Sequence, residues 1–400
     1  MRIVFLAPFG IRPKGTLIAR MLPLACGMQA RGHQVTIVAP PYTNHEDSGR
    51  VETVRGVRLV NIRLAQKGVT GTVLMGWRML RAAMAEQPDL IHLFKPKGYG
   101  GLAAMLLIQL RRFGIRFPPV LVDTDDWEGR GGMNETLPYS GAERRVFAFQ
   151  EQWLLRRAAA VTAASRTLHE YAITAGMSPS KTFYLPNCVD DIPPRDGSTA
   201  RQKLGITPDV PVLLLYTRFF EFSQNRLHTL FASIRKSLPE VRILVVGQGR
   251  RGEEELLRQA ADTNGFSDVL VMAGWIEAEQ LPDLLAVGDL AVYPFDDTLV
   301  NRAKCPAKLT ELLRSGIPVV ADLVGQIPEY LAPELHPFLC KPGDVHAMSA
   351  CCAELLKNRP LCRELGASGR HYILQHFRWT DSTARLEQIY QFICSDGATE

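Results

Sequence analysis

The chain has 400 residues, 46% hydrophobic and 22% charged, with a formal net charge of +5, which is too long for one ordinary core and argues against disorder as the main state. Its eight cysteines are scattered, with Cys351 and Cys352 adjacent and no C-x-x-C spacing, so a disulfide framework or zinc site is not expected and reduced thiols in a cytoplasmic protein are. No apolar run approaches the roughly 18 residues of a membrane-spanning helix, and residues 1–10 read as a buried strand rather than a signal peptide.

Charge is unevenly placed. Residues 1–198 hold 25 Lys+Arg against 16 Asp+Glu, a balance of +9, and the remainder holds 21 against 25, a balance of −4. A basic half suits an anionic partner or peripheral contact with the anionic inner face of a membrane, and equally a set of solvated arginine-rich helices. Nucleic acid is not an expected partner.

In the first half, short β-branched runs at 3–6, 35–38, 90–93, 120–122 and 160–163 alternate with helical patterns, which predicts a parallel sheet buried on both faces. Residues 42–68 read as an insertion containing a hairpin over 51–59 that turns at Arg55-Gly56. The loop 8–16 follows the first strand and contains Lys14, which offers charge, and Gly15, which permits close backbone approach. It lacks the G-x-G-x-x-G spacing of a dinucleotide site. His33 reads as structural. The stretch 69–85, with Trp77, Met79 and Leu80 beside Arg78 and Arg81, is either a core-packing helix or one lying in a membrane interface.

Ligands of open α/β sheets bind beyond the carboxyl ends of the strands, so the loops there are the candidates. Lys95 and Lys97, after the third run, either hold an anionic acceptor or a phosphate, or form an exposed basic loop. Asp123-Thr124-Asp125-Asp126-Trp127-Glu128 follows the fourth. Asp125 or Asp126 can orient or deprotonate an acceptor hydroxyl, and Trp127 can stack on a sugar ring. The rival readings are a metal-binding D-x-D and a plain turn with a helix cap.

The scheme repeats in the second half with runs at 212–216, 242–246, 269–272, 290–293 and 318–321, after a Pro/Asp/Gly/Ser linker at 191–198. Arg218 closes the first of these and can clamp a diphosphate, and Arg226 is close enough in sequence to join it. Gly247-Gln248-Gly249 is either a phosphate- or ribose-binding turn or simply a tight one. In the polar segment 295–320, Pro306 opens a helix that ends at Gly316. Lys308 and Glu311 share its first turns, Glu311 can accept hydrogen bonds from ribose hydroxyls, and Asn301, Lys304 and Lys308 can donate to a sugar or a phosphate.

Together these segments resemble the retaining glycosyltransferases of family 4. Glu311-Leu312-Leu313-Arg314-Ser315-Gly316-Ile317-Pro318-Val319-Val320 is similar to the family's E-[ALM]-[LM]-A-x-G-x-P-V-[VI]. Thr217-Arg218 stands for its G-R, and Leu185-Pro186-Asn187-Cys188-Val189-Asp190 for its P-N-G-V-D. The resemblance implies the α/β GT-B fold, with two facing Rossmann-like domains. Residues 1–190, completed by a C-terminal helix at 376–395, would take the acceptor, and 191–375 the nucleotide sugar.

The resemblance also implies a retaining transfer from a UDP- or GDP-type donor, with Gly15 approaching its phosphates, no metal or other cofactor, and a saccharide or lipid-linked acceptor in surface polysaccharide or glycolipid synthesis. Arg218 and Lys308 would act on the leaving diphosphate, while Arg226, Gly247, Gly249, Asn301, Lys304 and Glu311 would complete the donor site. In the family's E-x7-E the first glutamate falls at Ala303, so this chain reads as a variant branch. A nucleotide-sugar 2-epimerase and a non-catalytic partner subunit of the same fold are the alternatives.

Overall fold

The structure, a computed structural model, describes residues 1–12 and 15–396. Its contacts divide the chain into two compact units. Met1–Asn187, Ala303–Cys305 and the chain from Trp379 form the first; Cys188–Arg302 and Pro306–Arg378 form the second. The sequence reading put these boundaries at 190/191 and 375/376 and did not separate Ala303–Cys305.

The first unit is built on eight strands: β1 (Arg2–Leu6), β2 (Gln34–Ala39), β3 (Val51–Val54), β4 (Val57–Asn61), β5 (Leu90–Phe94), β6 (Val120–Thr124), β7 (Ala160–Ala163) and β8 (Thr182–Tyr184). Their order is β3-β4-β2-β1-β5-β6-β7-β8, and every pairing is parallel except the β3–β4 hairpin. Arg55 and Gly56 turn that hairpin with φ of 50° and 83°, the left-handed pair that matches strand twist. All five residues of β5 and of β6 are buried, because helices cover both faces.

The helix Trp379–Asp396 belongs to this unit. Its Glu387 meets Arg31 and His33 at 2.7 Å, and its Tyr390 hydroxyl lies 2.8 Å from His92 Nδ1. Gly27 makes the approach possible, since a Cβ there would lie 2.3 Å from Thr383 Cγ2.

The second unit has six parallel strands: β9 (Val212–Tyr216), β10 (Arg242–Val246), β11 (Leu270–Gly274), β12 (Leu290–Tyr293), β13 (Val319–Asp322) and β14 (Leu339–Cys340). Their order is β11-β10-β9-β12-β13-β14. Numbered within the unit this is 3-2-1-4-5-6, the dinucleotide-fold order, whose chain direction reverses between β9 and β12. The parallel strands of the first unit follow the same rule, with the reversal between β1 and β5. These two switch points are where ligand sites of this topology form. Among the described residues no helix is long and apolar enough to cross a membrane.

Candidate active site

In the second unit the switch point is a small cleft lined by Tyr216, Thr217, Glu221, Phe222, Tyr293, Phe295 and Lys308, with a cavity of only about 10 Å³. Three residues after Tyr216 the backbone is strained. Phe219 has φ of 66°, a region that costs a bulky residue free energy, and its amide is held by the Thr217 hydroxyl at 2.8 Å. This bend follows Arg218 directly, at the mouth of the sheet.

The helix Ala307–Arg314 opens at Pro306 and ends before Gly316, which has φ of 76°. Its first turn carries the Lys308 ammonium to 5.3 Å from the Tyr216 ring centroid, a cation–π contact. One turn on, Glu311 approaches the same ring. Burial, then the nearby Glu311 carboxylate, raise the Tyr216 phenol above its ordinary range, and Arg218 acts on it in the opposite sense. Burial also raises Tyr293, with Glu221, Tyr216 and Glu311 adding to it. The Glu311 carboxylate hydrogen-bonds the Tyr216 hydroxyl, and the Arg218 guanidinium has no ion pair or hydrogen-bond partner among the described residues. A cation therefore stands unpaired at the cleft, beside an acid that keeps acceptor capacity beyond its one bond.

Other predicted donor contacts are engaged elsewhere. Arg226 binds Asp322 Oδ1 at 2.6 Å and Asp296 Oδ1 at 3.1 Å, with its side chain 8% exposed. Asp322 also accepts from the Phe295 amide at 2.7 Å. Arg226 is thus a brace between the ends of β12 and β13, which corrects its expected place on a diphosphate. Asn301 donates to Glu221 O at 2.7 Å and Asp296 O at 2.8 Å and is buried, so it shapes the loop. Lys304 is buried and falls with Ala303 and Cys305 in the first unit.

The glycine turn is divided in role. Gly247 has φ of 122°, and a Cβ there would come within 1.9 Å of Thr217 O, so only glycine fits between the exits of β9 and β10. Gly249 lies beside the helix Glu253–Asn264, but the Gly249 amide donates to Glu254 at 2.7 Å and the Arg251 amide to Glu253 at 2.7 Å. These carboxylates hold the amides that a phosphate would use, which corrects the phosphate reading of this turn.

In the first unit a polar network fills the carboxyl end of β5 and β6. Arg20, 1% exposed, comes from the π-helical turn Leu17–Met21. It grips Asp123 with two bonds of 2.7 and 2.6 Å and reaches Leu185 O at 2.8 Å and Asn187 Oδ1 at 3.1 Å. Burial alone would lower Arg20's affinity for its proton, but Asp123 outweighs it. Lys95, with φ of 61°, places its ammonium 2.8 Å from Asp125 Oδ1 and 3.1 Å from Glu128 Oε1, and pairs with Asp126. Lys97 donates to Glu128 Oε2 at 2.6 Å and to Asn134 Oδ1 at 2.7 Å. Both lysines are buried, so they form no exposed basic loop, and carboxylates engage the ammonium groups expected to meet an anionic acceptor.

The carboxylates respond differently. Burial pushes Asp125 up, but Lys95 and a 2.8 Å bond from the Thr16 hydroxyl hold it below the usual carboxylate range. Burial raises Asp126, Lys95 only partly offsets this, and the charges of Asp125 and Glu128 leave it raised. Burial acts on Glu128 as well, and Lys97 and Lys95 bring it below its ordinary value. Behind them Glu151 accepts from the Glu128 amide at 2.9 Å and from Tyr171 at 3.1 Å. Burial pushes its carboxyl up to about 7.

Trp127 is half-buried, and its ring stacks on Tyr171 with centroids 3.9 Å apart. Gly15 starts the turn that leads to Arg20, its carbonyl accepting from Ile18 and Ala19 at 3.1 and 3.0 Å. Lys14 lies outside the described residues. Ala303, where the sequence resemblance puts the family's first glutamate, is fully buried against Ala163 and Leu168, and its carbonyl accepts from Ser165 Oγ at 2.7 Å. Among the described residues no group of three or more His, Cys, Asp or Glu side chains is placed to hold a metal.

Sequence reasoning missed Arg20, Glu151, Tyr216 and Tyr293, and gave Glu128 no role of its own within its carboxylate cluster. Tyr216 and Tyr293 had a usable signal, since each is the last residue of a predicted strand beside the switch point.

Residues 15–188 match the glycosyl transferase 4-like domain family and residues 211–358 the glycosyl transferases group 1 family. The chain is 27% identical over 274 residues, 66% of its length and 67% of the relative's, to a GDP-mannose-dependent monoacylated alpha-(1-6)-phosphatidylinositol monomannoside mannosyltransferase of Corynebacterium glutamicum. It is 24% identical to a GDP-mannose-dependent alpha-(1-6)-phosphatidylinositol monomannoside mannosyltransferase of Mycolicibacterium smegmatis, across 94% of this chain and 95% of that one. In fold it is similar to HepE of Anabaena, solved with UDP and glucose, with a TM-score of 0.72 and 20% identity over 97% of this chain and 98% of that one. With both units matched and the strand order of each as described, the chain belongs to the family 4 type of glycosyltransferases and has the GT-B fold.

Proposed function

We propose that the chain transfers a sugar, with retention of configuration, from a UDP- or GDP-type donor to a saccharide or lipid-linked acceptor in glycolipid or surface polysaccharide synthesis, in the reducing cytoplasm. The observation that carries the donor assignment is the gathering of an acid and two cations around Tyr216 at the β9–β12 switch point: Glu311 on its hydroxyl, Lys308 on its ring, and Arg218, which has no ion pair among the described residues. In this reading Glu311 accepts from the ribose hydroxyls, and Arg218 and Lys308 meet the diphosphate. They stabilise the charge that develops as the nucleoside diphosphate leaves. The cleft's cavity of about 10 Å³ holds about one water, so in this reading the donor lies along its rim.

In the first unit Asp126 is the carboxylate best placed by its environment to take the acceptor proton, while Asp125 stays ionised. The Lys95 ammonium already stands among Asp125, Asp126 and Glu128, the place a D-x-D metal would occupy, and this supports a metal-independent reaction. The relatives' names make GDP-mannose the first donor to try.

The test is a thermal-shift panel of UDP-, GDP- and ADP-sugars followed by transfer from the donor that binds. One donor should raise the melting temperature of the wild type and leave Glu311→Ala unmoved. Equal shifts in both proteins sink the assignment, and turnover that survives a chelator supports the metal-independent course.

A further inference from the structure

The helix Val69–Ala85 buries Met75, Met79, Leu80 and Ala83 in the core of the first unit. Its opposite face is unusual for an exposed one. Val69 is 83% exposed, Val73 64%, Leu74 40% and Trp77 54%. Val69, Val73 and Trp77 recur at the helical spacing i, i+4, i+8, with Leu74 beside them one turn before Trp77, so the four form one continuous apolar strip. A strip of this kind marks an interaction surface rather than scattered surface hydrophobics.

Its charge surroundings select the partner. Residues 53–85 contain six arginines and lysines and no acidic residue. Arg63 and Lys67 precede the strip and Arg81 follows it, all three exposed. An apolar face with a tryptophan, bordered by cations and free of carboxylates, is complementary to an anionic lipid surface.

Its location adds a functional sense. Gly76, on the turn that bears Trp77, is packed so closely that a Cβ would lie 3.1 Å from Leu102 Cβ and 3.7 Å from Tyr99 O. Those residues belong to the first turns of the helix Gly98–Arg112, whose N-cap is Lys97. The strip therefore borders the same carboxyl edge of the sheet that holds Lys97, Glu128 and Asp126.

We propose that this face docks on an anionic bilayer, with Val69, Val73, Leu74 and Trp77 inserted and Arg63, Lys67 and Arg81 on the headgroups. Resting on the glycosyltransferase reading above, this places the carboxylates of the first unit beside the surface from which a lipid-linked acceptor would be presented.

The experiment is flotation of the full chain with vesicles of phosphatidylcholine alone and of phosphatidylcholine mixed with phosphatidylglycerol. It compares the wild type with Val73→Glu/Trp77→Glu and with Arg63→Gln/Lys67→Gln/Arg81→Gln, all checked for an unchanged unfolding midpoint. The wild type should float with the anionic vesicles only. The glutamate pair should lose at least about tenfold in partitioning, and the glutamine triple about fivefold per charge.

No flotation of the wild type, equal flotation on neutral vesicles, or equal flotation of the variants overturns the proposal. So does a solution dimer that the glutamate pair dissolves, which would make a second copy the occupant. Donor-induced thermal shifts are read on the same proteins. A wild type that floats but responds to no nucleotide sugar keeps the docking face and loses the donor site, and the reverse result separates them the other way.

Discussion

Lys95 Nζ stands 2.8 Å from Asp125 Oδ1 in a setting where only 6% of the lysine side chain meets solvent. Burial opposes its charge, yet Asp125, Asp126 and Glu128 together hold the ammonium well above its ordinary range. Removing one partner of such a buried cluster leaves like charges facing each other. Lys95→Met should therefore destabilise the protein by about 3–5 kcal/mol, measured by urea unfolding at neutral pH. Adding Glu128→Gln to it should recover part of that loss. A midpoint unchanged by Lys95→Met would mean the cluster is solvated and the lysine dispensable to the fold.

Arginines 218 and 226 should separate cleanly. Arg218→Ala is expected to lower turnover about 10²–10³-fold with little change in unfolding midpoint, because no partner among the described residues is lost. Arg226→Ala leaves Asp322 buried without its cation, which should cost about 3–5 kcal/mol of stability. Paired unfolding and turnover measurements read the contrast, and equal destabilisation by both variants contradicts it.

Asp126 is the carboxylate whose burial and carboxylate neighbours favour its protonated form. If it takes the acceptor proton, Asp126→Asn should cut transfer about 10²–10⁴-fold while the donor-induced thermal shift persists. Loss of donor binding in the same variant would instead assign Asp126 to the donor.

Glu151 supplies a pH dependence of known sign. Its folded pKa of about 7 lies above the ordinary carboxylate value of 4.5 because of burial. The folded state thus binds the proton more tightly, and stability falls as pH rises between 4.5 and 7, levelling off above. The full loss is on the order of 3 kcal/mol. Glu151→Gln cannot ionise and should be more stable than wild type at pH 8 and nearly equal to it at pH 4.5. Parallel unfolding midpoints across that range would show that Glu151 does not titrate there.

The βα alternation was legible because each strand is a short β-branched run, and the hairpin because Arg55-Gly56 interrupts alternating apolar residues. Glu311 was legible because a capped helix fixes its position after Pro306. Arg226 was misplaced because eight residues from Arg218 suggests a shared loop. In fact the helix Gln224–Ser237 begins between them and turns the guanidinium toward Asp322, 96 residues away. Lys95 and Lys97 read as cations for an acceptor or phosphate, or as an exposed basic loop, for a similar reason, since Glu128 lies 33 and 31 residues from them. Arg20 pairs across 103 residues. Partners this distant leave no local periodicity to read.

Ala303 has consequences for altering sugar preference. Its methyl group is enclosed by Ala163 and Leu168, and a carboxylate put there would be forced among apolar side chains, a burial that costs free energy. Reinstating glutamate in one step would unfold its surroundings before it could touch a hexose. Redesign of this enzyme toward another donor must first hollow out the neighbourhood of Leu168, or begin from a different wall of the molecule.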